Sequence, residues 1–523
     1  MPVKKIEIYD TTLRDGSQSE GISFSVRDKI LIAGKLDALG CRYVEGGWPG
    51  ANPKDIAFFQ EVRKLKFKNS QIVAFGSTRK AHTKVSEDEN LKGLLAAETE
   101  VITIFGKSWD MHVTEVFKTQ LEENIRMIHD SVTYLKSKNK KVIYDAEHFF
   151  DGYTDNPVYA LKTLETALEA GASVLVLCDT NGGSLPSKIF NIVSAVKAKL
   201  AAPLGIHTHN DAGVAVANAV SAVEAGAQQV QGTINGYGER CGNADWLTIV
   251  ANLQLKLGFT CLPASKLREL TEIARFVSEI SNMMQAKNQP YAGQSAFAHK
   301  GGVHINAVMK NPQTYEHIDP ALVGNNRRFL VSELGGKTNV TLKAEALDVH
   351  LKKESPETRK ILQKVQEREN EGYQYEIAEA SFELLIHEVT GHRKKFFEFK
   401  KVEVLAENIG DKNTRSNAKV LLTVNGQAGV GEAQGDGPIN ALDNALKKAL
   451  VLFYPQVLAI HLDDYKVRVV DSDAGTAARV RVFIETHDEK AVWTTVGVST
   501  NIIEASWQAL VDAIEYKLIK SHK

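Results

Sequence analysis

Along the first 260 or so residues, short runs of β-branched and other apolar residues alternate with longer stretches in which apolar positions recur every three or four residues. The short runs are Ile6 to Tyr9, Tyr43 to Gly46, Ile72 to Phe75, Val101 to Phe105, Val142 to Asp145, Val174 to Cys178, Leu204 to His209 and Gln229 to Ile234. Each predicts a strand, and the stretches between them predict helices. Lys29, Ile30, Ala33, Leu36, Asp37 and Leu39 lead to Gly40, and Ala160, Leu164, Ala167 and Leu168 lead to Gly171. Both glycines stand where a helix commonly ends in the left-handed conformation. Eight such βα units predict a TIM (β/α)8 barrel over residues 1–275 rather than an open doubly wound sheet.

The pattern then changes. Ile273, Phe276, Val277 and Ile280 mark an amphipathic helix. Residues 288–330 read as loop-rich and carry Ser295-Ala-Phe-Ala-His-Lys-Gly-Gly-Val-His-Ile-Asn306, and residues 338–405 read as charged and helical, with Lys352 to Arg368 as a solvated face. We place a lid and helical linker region at 276–405. The last ~110 residues look internally duplicated: the pattern ending Asn440-Ala-Leu-Asp-Asn-Ala445 returns as Glu504-Ala-Ser-Trp-Gln-Ala509. Each copy predicts strands, a turn and a helix, so 406–523 reads as an α+β domain of two similar units. Few catalytic residue types cluster there, which favours regulation over chemistry.

Composition narrows the ligands. The 523 residues are 43% hydrophobic, enough for real cores. Lys plus Arg number 63 against 64 Asp plus Glu, so no basic field argues for nucleic acid or an anionic membrane, and small metabolites are the expected ligands. Cys41, Cys178, Cys241 and Cys261 show no CxxC spacing and read as reduced structural thiols. The chain enters its first strand almost at once, without the apolar stretch of a signal peptide, and no run approaches the ~20 apolar residues of a membrane span. A cytoplasmic protein is expected.

Barrel chemistry lies at the C-terminal ends of the strands, and polar residues fall there. Arg14 and Asp15 follow strand 1, Glu45 ends strand 2, Glu147 and His148 end strand 5, Asp179 and Thr180 end strand 6, and His207 and His209 end strand 7. Residues i and i+2 of a strand share a face, so the two histidines project together and, with the Asp15 carboxylate, make a facial site for one divalent metal ion. Arg14 beside them can clamp a substrate carboxylate with its planar fork. A carboxylate at a strand end can instead pair with a neighbour, and Glu45 is read as orienting Arg14 or acting itself. After strand 8, the glycines of Asn235-Gly-Tyr-Gly-Glu-Arg-Cys-Gly-Asn-Ala244 let backbone approach a partner closely.

Three of these stretches carry a resemblance: Leu13-Arg-Asp-Gly-Ser-Gln18 with Lys29 ten residues on, Leu204 to Ala217, and Gly238-Glu-Arg-Cys-Gly-Asn243. Together they resemble the isopropylmalate, homocitrate and citramalate synthase family, metal-dependent barrel enzymes that condense acetyl-CoA with a 2-oxo acid. Gly46 to Asp55 and Asp145 to Tyr153 most resemble the branch that uses pyruvate, while sister branches take larger 2-oxo acids. The resemblance implies a divalent ion (Mg, Mn or Zn) on Asp15, His207 and His209, with Asn243 as a further ligand or a residue supporting one. It implies Arg14 and Thr180 on pyruvate, and Glu147 and His304 as the pair to consider for proton abstraction from acetyl-CoA. Asn306 and Tyr315 accompany His304; His299 is the less favoured histidine, expected to pack or cap its loop. It also implies an isoleucine effector at the terminal domain and a homodimer in which a lid segment of one subunit completes the other's site. Barrels with the same His-x-His pair also run as lyases or aldolases, and the duplicated C-terminal region argues against that reading.

Overall fold

The computed structural model describes residues 4–330, 336–346, 349–408, 414–471, 475 and 477–521. The chain forms two compact units, one of residues 1–297 with 318–327, the other of residues 298–317 with 328–523. In the first, eight parallel strands close into a barrel. They are β1 (Glu7–Asp10), β2 (Tyr43–Gly47), β3 (Gln71–Ser77), β4 (Val101–Lys107), β5 (Lys141–Glu147), β6 (Val174–Asp179), β7 (Leu204–Thr208) and β8 (Gln229–Gly232). Closure is made by β1 on β8, with Glu7 opposite Gln229 and Asp10 opposite Gly232. All eight coincide with the apolar runs, with no end shifted by more than two residues. His209 stands one residue beyond β7 and bridges to Asn243.

Inward side chains fill the barrel, with Tyr9, Tyr43, Val73, Val101, Ile143, Val174, Val176 and Cys178 in one buried cluster. The outward faces pack under helices such as Val26–Leu39 and Pro157–Glu169. The first starts with Ser25 and Asp28 in a reciprocal capping box and ends on Gly40 at φ 95°. Leu270–Ile280 is helical, as its periodicity predicts. Cys41, Cys178 and Cys261 are buried free thiols, whereas Cys241 is exposed on the loop after β8 and is no part of a core. Among the described residues, no helix is long and apolar enough to cross a membrane.

The second unit begins with two-residue strands β9 (Ala298–His299) and β10 (Arg328–Phe329), which pair in parallel. The stretch expected to be loop contains the helix Gly302–Lys310. Helices Gly336–Ala346, Pro356–Asn370 and Glu379–Val389 follow, but the helical character ends there rather than at 405. Two antiparallel sheets come next, β11 (Glu398–Asn408) with β12 (Thr414–Val424) and β13 (Gln427–Gly435), and β14 (His461–Val469) with β15 (Val480–His487) and β16 (Val492–Ser499). Helices Pro438–Leu450 and Ile502–Ser521 close the two copies. In both copies the helix packs over the equivalent strand position. In the first copy the helix runs so close to β13 that a Cβ at Gly431 would sit 1.9 Å from the Ala445 carbonyl oxygen. In the second, Thr495 of β16 donates its hydroxyl to the Ala509 carbonyl at 2.8 Å.

Candidate metal centre

The turn after β1 is held by a buried carboxylate. Asp10 accepts hydrogen bonds from the Thr12 amide (3.0 Å), the Thr12 hydroxyl (2.7 Å) and the Trp246 indole (2.8 Å). Burial lifts its pKa to about 6 despite these donors. The turn so fixed delivers Arg14 and Asp15 to the barrel mouth.

There Asp15, His207 and His209 are all buried and offer ligand atoms within 4.8 Å of one another. Among the described residues, this is the one such cluster. Asp15 Oδ2 lies 3.4 Å from His207 Nε2 and 3.9 Å from His209 Nε2, and the two imidazole nitrogens are 3.3 Å apart. Burial lowers the His207 pKa to about 3, helped by His209 and opposed by Asp15; burial lowers His209 as well. Burial would raise Asp15, but Arg14, His207, His209 and Asn243 outweigh it and hold the carboxyl below its usual range. Two neutral imidazoles and a carboxylate are the protonation states a divalent ion needs.

The supporting contacts fix orientation. Gln231 on β8 turns its amide nitrogen to Asp145 (3.0 Å) and its oxygen to His207 Nδ1 (3.0 Å). With Nδ1 donating to that oxygen, Nε2 is left unprotonated between Asp15 and His209. Gly238 and Gly242 hold the loop after β8 at φ 156° and 87°, and a Cβ at Gly238 would lie 2.2 Å from Asn243 Nδ2. The glycines thus admit the Asn243 side chain, whose Oδ1 is buried without a hydrogen-bond partner. An orphaned oxygen beside an Asp/His/His set fits the donor chemistry of a divalent cation.

Arg14 is held between an acid and an aromatic ring. Its Nε donates to Glu45 Oε1 at 2.6 Å, its Nη1 lies 3.6 Å from Asp15, and its guanidinium carbon sits 3.7 Å from the Phe75 ring centroid. Burial disfavours its charge, but Glu45 and Asp15 win and raise its pKa. Glu45 is fully buried and also accepts from the Tyr9 and Thr11 hydroxyls, so its observed contacts are those of an orienting group. Phe75, Phe105 and Trp48 form an aromatic wall on this side: the two phenylalanines stack at 5.5 Å and Trp48 meets both edge-on.

β5 ends at Glu147, and His148 follows in the left-handed conformation at φ 56°. Glu147 pairs with Lys107 at the end of β4. The Thr180 hydroxyl accepts from the His148 amide at 2.9 Å, which leaves its own proton free to donate. Asp179 instead accepts from Ser184, an internal cap of its loop. His304, Asn306 and Tyr315 belong to the second unit. His304 stacks on Tyr315 at 4.1 Å, and Asn306 accepts from Lys353 at 3.3 Å. His299 is buried and lies 3.1 Å from Glu316, a packing role. Sequence reasoning missed Gln231, Asp145 and Lys107. The first two are polar residues within barrel strands, but nothing local to either names the other as its partner.

The HMGL-like family matches residues 5–277, the homocitrate synthase post-HMGL domain-like family residues 292–372, and the LeuA allosteric (dimerisation) domain residues 376–518. The (R)-citramalate synthase of Aquifex aeolicus is 55% identical over 522 residues, covering 99% of each chain. That of Geobacter sulfurreducens is 52% identical over 519 residues, covering 99% of this chain and 98% of its own. A 2-isopropylmalate synthase of Methanocaldococcus jannaschii is 29% identical over 521 residues, covering 99% and 96%.

Proposed function

This chain belongs to the (R)-citramalate synthases of the HMGL-like family, and we propose that its barrel mouth performs their condensation with the residues described above. The reaction joins acetyl-CoA to pyruvate and, with water, releases citramalate and CoA, a step of isoleucine biosynthesis. The observation that carries the site assignment is the convergence of Asp15, His207 and His209 next to a clamped Arg14. A divalent ion of magnesium, manganese or zinc, held by these three with Asn243 as a further ligand, would polarise the keto carbonyl of pyruvate and fix its orientation.

The chain's own groups divide the rest. Arg14, immobilised by Glu45 and Phe75, stabilises the negative charge that grows on the keto oxygen. Thr180 donates to the pyruvate carboxylate through the proton its hydroxyl keeps free. The wall of Trp48, Phe75 and Phe105 limits the acid to a small side group. Glu147 and His304 are the pair assigned to the methyl proton of acetyl-CoA, with Asn306 and Tyr315 holding the thioester. Hydrolysis of the condensed thioester then releases CoA and makes the reaction effectively irreversible.

In this reading residues 1–275 catalyse, 276–405 form the lid and linker, and 406–523 regulate. The match of residues 376–518 to an allosteric dimerisation domain supports a homodimer whose duplicated units bind an amino acid, isoleucine in our proposal. Saturating isoleucine should then lower turnover; unchanged activity and unchanged thermal stability would refute that part.

The test of function is thiol release from acetyl-CoA by metal-loaded protein with pyruvate, 2-oxoisovalerate or 2-oxoglutarate. Release with pyruvate is expected. Preference for a larger acid would move the chain to a sister branch, and no release with any of the three would refute the condensation.

A further inference from the structure

The second unit contains a cavity of about 770 Å³ for which the condensation has no use. Its wall is basic: His350, Lys352, His387 and His392 line it, and Glu357 is the one carboxylate among the described lining residues. Leu351 and Ile519 give it an apolar side. His387 is the buried member, only 7% exposed, and its Nδ1 has no hydrogen-bond partner. Its Nε2 lies 3.5 Å from Glu383, a carboxylate that also pairs with Lys520 at 2.8 Å.

A buried imidazole is normally satisfied, so a ring nitrogen without a partner in a cavity wall points to a polar guest, and Lys352 beside it favours one that accepts hydrogen bonds. Ser355 at the same wall caps the helix Pro356–Asn370, which places the positive end of a fifteen-residue helix beside the histidines. A metal ion is the wrong guest. The imidazoles here do not converge on a point as the ligands of Asp15, His207 and His209 do, and among the described residues those three alone form a metal-sized group.

We propose that this cavity binds a small anion bearing a carboxylate or phosphate group, with His387 as its buried anchor and His350, Lys352 and His392 as its rim. The site joins the segment before Pro356 to the helix Glu379–Val389. An anion bound there ties those two parts of the unit together.

The experiment is calorimetric titration of the full chain with inorganic phosphate and, separately, malonate. The variants are His387→Gln, the rim double variant Lys352→Met/His392→Gln, and His487→Gln as a control elsewhere in the unit; thermal unfolding checks that each folds. The wild type should bind saturably, and affinity should fall about tenfold in the first two and not in the control. The rim variant changes exposed residues, so it keeps the test valid should His387→Gln misfold. Tighter phosphate would identify a phosphate ester as the guest class, and tighter malonate an organic acid. No saturable binding of either anion would overturn the proposal. So would binding that survives in the rim variant and disappears in Arg14→Leu, because it would belong to the barrel.

Discussion

Gln231 Oε1 lies 3.0 Å from His207 Nδ1, across the boundary between β8 and β7. Asp145 holds the other end of that amide, so the carbonyl has no freedom to turn away. The bond sets which imidazole nitrogen is left for a ligand. Gln231→Leu should therefore weaken metal binding by about tenfold to a hundredfold while leaving the barrel folded. Competition against a chromophoric chelator measures this; unaltered affinity would remove Gln231 from the account.

Acid should destabilise the metal-free protein through His207. Its folded pKa is about 3, against about 6.5 in an unfolded chain. Between those values the unfolded chain takes up a proton that the folded one refuses, so stability is complete above pH ~6.5 and lost as the pH falls toward ~3. The slope from this one group is at most about 1.4 kcal/mol per pH unit. Urea unfolding with chelator present, from pH 7 to 4.5, should show a shallower slope in His207→Gln than in the wild type. Equal slopes would contradict the assignment.

The loop bearing Trp48 rests on a buried ion pair. Lys29 Nζ donates to Asp55 (2.5 Å) and to the Gly46 carbonyl (3.0 Å), and Asp55 accepts from the Trp48 amide (2.9 Å). Lys29→Met strands the Asp55 charge and should destabilise the protein by about 3 kcal/mol or more. Chemical denaturation checks the value, and Lys29→Met/Asp55→Leu should recover part of it.

Much of this was legible in the chain, for reasons that differ by region. Barrel strands are covered on both faces, so their apolar runs stand out, and all eight runs correspond to strands. Their ends were less legible, because hydrogen bonding rather than hydropathy sets them. His207 and His209 could be paired from spacing alone, and the structure brings Asp15, Arg14 and Asn243 to them. Long-range polar pairings were unevenly legible: Glu45 at the end of strand 2 could be matched to Arg14 across 31 residues, whereas nothing near Gln231 announces its bond to Asp145, 86 residues away. Helix Gly302–Lys310 was read as loop because one glycine precedes it and a second opens it, and nine residues are too few to establish a period.

Phe105 should control the size of the accepted acid. It stacks on Phe75, against which Arg14 lies, and Trp48 closes the edge. Phe105→Ala should raise kcat/KM for 2-oxobutyrate relative to pyruvate by about tenfold. An unchanged ratio would place the methyl pocket elsewhere.

In the proposed site Asp15, His207 and His209 hold the ion on which condensation depends. This role is tested most directly by stripping the protein with a chelator, adding metal back in steps, and following pyruvate-dependent CoA release. Activity should be absent after stripping and return to a plateau near about one equivalent per chain in the wild type, with no recovery in Asp15→Asn despite an intact fold. Full turnover by the stripped protein, or full recovery by Asp15→Asn, would contradict the account.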